Sequence, residues 1–95
     1  MLDQLTRQDF DSLGNEPLVL HYGGQQIPLV VAESRDLPPI SPRAAPFAVI
    51  LNGPSEPLLP QAIYQVAHPR HGTLDLFIVP IARDAKRSQY ELIFN

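Results

Sequence analysis

From Leu18 onwards, apolar residues recur at every second position in short runs, the period of a strand with one buried face. "PLVLHY" sets Leu18, Leu20 and Tyr22 on one face, and "QIPLVVAES" returns after Gly23 and Gly24. A glycine pair there supplies the positive φ angles of a tight hairpin. Pro28 has no N–H to give to a ladder, so it is expected at an edge or a bulge. "PFAVILN" alternates Phe47, Val49 and Leu51, "AIYQVAH" and "TLDLFIVPI" follow, and "QYELIFN" puts Tyr90, Leu92 and Phe94 on one face. "HPRHG" reads as a turn with Pro69 at its second position and Gly72 left-handed. The pattern predicts a mainly β domain spanning 1–95, a small antiparallel barrel or sandwich of about six strands.

The start of the chain has a different pattern. In "LTRQDF", Thr6 is a good N-cap, Asp9 sits three residues later, and Leu5 and Phe10 take the two hydrophobic-staple positions. This predicts a helix of about two turns, closed by Gly14. "DLPPISPRAAP", from Asp36 to Pro46, is too rich in proline for helix or ladder and should run extended. "ARDAKRS" reads as a polar loop.

Two regions ask for cover. The connection "GPSEPLLPQ" is longer than a hairpin loop, so it should cross one end of the core, with Leu58 and Leu59 both buried as a plug. The fifth strand is apolar on both faces: Leu74, Leu76 and Ile78 on one, Phe77, Val79 and Ile81 on the other. A half-exposed antiparallel strand would alternate. The second face therefore needs the N-terminal helix, the proline-rich segment or another subunit. The last strand is expected at a sheet edge, where its free N–H and C=O groups offer pairing to another chain. Phe77, Val79 and Ile93 are the interface residues this predicts.

Composition narrows the function classes. Net charge is −3, pI about 5.4 and charged residues 18%, which argues against nucleic acid as a partner and leaves much neutral surface. There is no cysteine, hence no disulfide, thiolate site or cysteine nucleophile. The N-terminus shows no signal-peptide h-region and no run has the length of a membrane helix, so no membrane partner is expected. The default location is the cytoplasm, with later export as part of an assembly left open.

His68 and His71 are spaced i, i+3, with Asp75 or Glu91 as third-ligand candidates. Spacing supplies no third donor, so they read as solvent-exposed turn histidines with no metal. Ser55, Glu56 and His68 lack a nucleophile elbow or an oxyanion motif. Tyr22, Tyr64 and Tyr90 read as core or rim residues. No catalytic residue and no cofactor is expected. The reading is a non-catalytic structural or interaction module, self-associating or docking on a larger assembly. Its alternative is a small-ligand-binding barrel with a mouth near His68, His71 and Tyr64.

The stretches "LTRQDF", "GPSEPLLPQAIYQVAHPRHGTLDLFIVPI" and "YELIFN" resemble a family of small bacterial proteins of unknown function. The family pattern is Leu-Thr…Asp-Phe, Gly-Pro-x-x-Pro-Leu-Leu-Pro-Gln, His-Pro-x-x-Gly, Leu-Phe-x-Val-Pro and Tyr-Glu…Phe-Asn. The match covers most of the chain outside 23–45. Ala62 stands where the pattern has glycine, and "ARDAKRS" replaces a more acidic, glycine-containing loop. The resemblance implies a similar fold and no activity. Some members are encoded near phage-tail-collar-like proteins, which implies a role in assembly.

Overall fold

Residues 4–38 and 45–94 are described by the computed structural model. They hold one helix, α1 (Arg7–Asp11), and six strands: β1 (Leu18–Tyr22), β2 (Gln25–Asp36), β3 (Phe47–Pro54), β4 (Ala62–His68), β5 (Gly72–Arg83) and β6 (Arg87–Phe94). The strands close an antiparallel barrel in the order β1-β2-β3-β6-β5-β4, with β4 pairing back onto β1.

Two turns set much of the register. Tyr22 pairs with Gln25 across Gly23 (φ 56°) and Gly24 (φ 80°), the left-handed pair that a tight hairpin needs. His68 pairs with Gly72 (φ 73°) across Pro69, Arg70 and His71. Pro28 lies opposite Val19, and pairing of β2 with β3 starts only at Val30. Pairs in an antiparallel ladder alternate between hydrogen-bonded and open. Counting from Tyr22–Gln25, Val19–Pro28 is an open pair, so the missing N–H falls on the side where β2 has no partner yet. The expected bulge lies elsewhere, between Val31 and Glu33. A second bulge falls between Pro80 and Ala82.

The C-terminal strand is not an edge. β6 pairs with β3 from Phe47–Phe94 to Pro54–Arg87, and with β5 from Val79–Glu91 to Arg83–Ser88. The strand thus has a neighbour on each side, β3 along its whole length and β5 as far as Glu91. The expected place of "YELIFN" at a sheet edge is therefore overturned.

Side chains close both ends of the barrel. Asp9 accepts a hydrogen bond from the Thr6 N–H at 2.8 Å, the return arm of a capping box. The helix is a single short turn with Ser12 as C-cap, shorter than predicted, and the chain then turns through Gly14 (φ 59°). This turns Leu5, Phe10 and Leu13 into the core. Phe10 is fully buried against Phe47 and Phe94, with ring centroids at 6.0 and 5.4 Å. Arg7 ties the helix to β2 through Ser34 (Nε to Oγ, 2.7 Å) and Asp36 (3.3 Å). The helix thus plugs one end instead of covering the outer face of β5. Most of the proline-rich segment, 39–44, lies outside the described residues.

At the other end only one of the paired leucines is a plug. Leu59 is fully buried and its N–H donates to the Tyr90 hydroxyl at 3.0 Å, whereas Leu58 is 42% exposed. Successive side chains of an extended connection point opposite ways, so one leucine faces in and its neighbour out. Gly53 lies beneath this loop. A Cβ there would stand 2.7 Å from Leu29 Cδ2 and 3.3 Å from Tyr90 Cε2. Both neighbours are buried and have little room to move. Gly53→Ala should destabilise the domain by about 1–3 kcal/mol through overpacking, seen as a lower midpoint in thermal unfolding.

Candidate docking surface

The candidate surface is built on the outer face of β4, β5 and β6. The β4–β5 register sets Ile63 opposite Phe77, and Val79 follows Phe77 on the same face. Val79 pairs with Glu91, and Ile93 lies two residues further along β6 on that outer face. Ile63 is 68% exposed, Phe77 51% and Ile93 50%. Val79 is half-buried among them, and the bulge residue Ile81 is exposed beyond them.

Other outer positions are treated differently. On β3, Ala48 and Ile50 also point outwards yet are buried. Arg35 pairs with Ala48, and Glu91 pairs with Ile50. Their side chains meet at 3.2 Å, so an ion pair spans β3 above these two residues. The apolar side chains of β3 thus lie under a polar bridge, whereas the group on β4, β5 and β6 is bare.

Phe77, Val79 and Ile93 therefore share one surface. Ile63 belongs with them and was missed. Its signal was present: the His68–Gly72 turn counts back to Ile63 opposite Phe77.

The histidines lie at the helix-plugged end. His68 is buried, not solvent-exposed as expected; its position continues the inward run of Tyr64 and Val66. His71 is partly exposed and its Nε2 meets Asp9 Oδ1 at 3.0 Å. Asp75 lies on the outer face of β5 and Glu91 is held by Arg35. Among the described residues no group of three or more His, Cys, Asp or Glu side chains comes together as metal donors. Glu56 meets Arg83 at the Leu59-plugged end, far along β4 from His68, so Ser55, Glu56 and His68 form no catalytic group.

Tyr64 also lies at the Leu59-plugged end, so a ligand mouth shared by His68, His71 and Tyr64 does not exist. At that end Tyr22, Gln25, Pro57, Leu58 and Arg83 line an open groove of about 630 Å³. The barrel interior itself is filled by side chains. Among the described residues no helix is long and apolar enough to cross a membrane.

These features define a small closed antiparallel barrel, plugged by a helix at one end and by a leucine at the other, with one bare apolar flank. The chain belongs to the DUF6916 family, a domain of unknown function whose model matches residues 5–94. No curated protein and no solved structure matches the chain.

Proposed function

We propose that this domain is a non-catalytic interaction module whose outer β4–β5–β6 face binds protein, first of all a second copy of the same chain. The supporting observation is the exposed group Ile63, Phe77 and Ile93 on three neighbouring strands, beside a β3 face whose apolar residues are bridged over. With the barrel closed, binding works through side chains and not through added strands. Burying a large apolar side chain is worth about 1.5–3 kcal/mol, so a few such residues dominate the affinity. The resemblance to a family some of whose members are encoded near phage-tail-collar-like proteins supports a larger, tail-like assembly as the setting.

Phe77→Lys tests this reading. The lysine head reaches water from this exposed position, so the protomer should keep its unfolding midpoint. Self-association, read by light scattering after size exclusion, should weaken about 100-fold or more, since each protomer loses an anchor. Val79→Lys should act the same way with a larger loss of stability, because Val79 is half-buried. A wild-type chain that stays monomeric at high concentration overturns self-association.

A further inference from the structure

His68 joins α1 to the barrel. Its ring is 2% exposed and meets the Phe10 ring edge-on at 5.6 Å. Nδ1 accepts from the Arg70 N–H at 3.1 Å, which places the single proton of the neutral ring on Nε2. Nε2 in turn donates to the Asp9 carbonyl at 2.8 Å. One neutral imidazole thus spans the β4–β5 turn and the helix. A second proton would point an N–H at the Arg70 N–H and break that bond.

Among the described residues, the charged and titratable groups facing His68 come from two elements. The β4–β5 turn provides Arg70 and His71, the latter with ring centroids 4.8 Å away, and α1 provides Asp9. The Arg70 guanidinium also reaches Ser12 Oγ, just past the helix. The Asp9 carboxylate is engaged by His71 and by the Thr6 N–H, and its charge opposes, without outweighing, the effect of burial on His68. A proton on His68 undoes the bridge.

We propose that His68 is an acid-sensitive latch whose protonation raises the fraction of molecules in which α1, with Leu5, Phe10 and Leu13, has left the barrel end while the strands stay paired. Release uncovers Phe47 and Phe94, which stack at 4.6 Å across the mouth. Burial lowers the pKa of His68 below its ordinary 6.5, so the closed form resists the proton that the open form accepts. The latch is at full strength above pH 6.5 and weakens as pH falls below it. For Asp9, partial burial raises the pKa, but the bonds from His71 and Thr6 outweigh it and the net shift is downward. Asp9 therefore adds a second loss only below pH 3.8, well outside the latch range.

Hydrogen exchange of the whole chain at pH 7 and pH 5, corrected for the intrinsic pH dependence of exchange, tests the latch. Protection of residues 5–13 should fall roughly tenfold at pH 5, while β3 and β6 keep theirs. His68→Gln should remove that pH dependence, and His71→Gln should leave a drop at pH 5. If His68→Gln does not fold, the ring is followed by NMR in the wild type, and its protonation must coincide with loss of protection in 5–13. Equal loss in all strands, no change in 5–13, a pH response that persists in His68→Gln, or ring protonation that does not track opening overturns the latch.

Discussion

Phe10→Ala should lower stability by about 3–5 kcal/mol, the usual cost of removing a buried phenyl ring. Phe10 is fully buried and touches Phe47, Phe94 and His68, so its loss opens a cavity at the barrel mouth. Two of its walls, Phe47 and Phe94, are held opposite each other by the β3–β6 ladder, which limits collapse. A domain of this size holds about 5–15 kcal/mol in all. The thermal midpoint should fall by roughly 15–30 °C. Phe77→Ala is the control: the same side chain on the outer face should move the monomer's midpoint by only a few degrees. A Phe10→Ala midpoint within a few degrees of wild type would show that the helix is not part of the core.

The second large effect separates the paired leucines. Leu59→Ala should cost about 2–5 kcal/mol, and Leu58→Ala less than about 1 kcal/mol. Leu59 is fully buried, and its backbone is held by the Tyr90 hydroxyl on β6. Truncation leaves a void that this tethered loop fills poorly. Leu58 is 42% exposed and lines the groove with Pro57 and Tyr22, so its loss mostly exchanges one wet surface for another. Urea unfolding of the two single variants checks the contrast. Equal midpoints for Leu58→Ala and Leu59→Ala would mean that the loop does not plug the barrel.

The outward residues show how far alternation alone reaches. Phe77 and Ile93 fall on the outer face by counting twos along β5 and β6, and both are exposed. Ala48 and Ile50 fall on the outer face of β3 by the same count, yet they are buried. Counting gives the face of a strand; what crosses that face comes from elsewhere in the chain. Here it is Arg35 and Glu91, 56 residues apart in sequence. The same limit applies to His68. Its inward position was legible from Tyr64 and Val66, but its partner Asp9 is 59 residues away, and nothing in "HPRHG" names it.

What the sequence determined by itself was local. Strand period, the Gly23–Gly24 and Pro69–Gly72 turns and the Thr6–Asp9 cap each depend on residues a few positions apart, where backbone geometry leaves few choices. Tertiary structure decided the rest. Closure through β1–β4 and insertion of β6 between β3 and β5 removed the edge that the last strand was expected to offer. It also turned the helix into a plug, and chose Leu59 over Leu58. These outcomes depend on which distant surfaces exclude water together. A burial term that is non-directional and scales with area leaves no short-range mark in the chain.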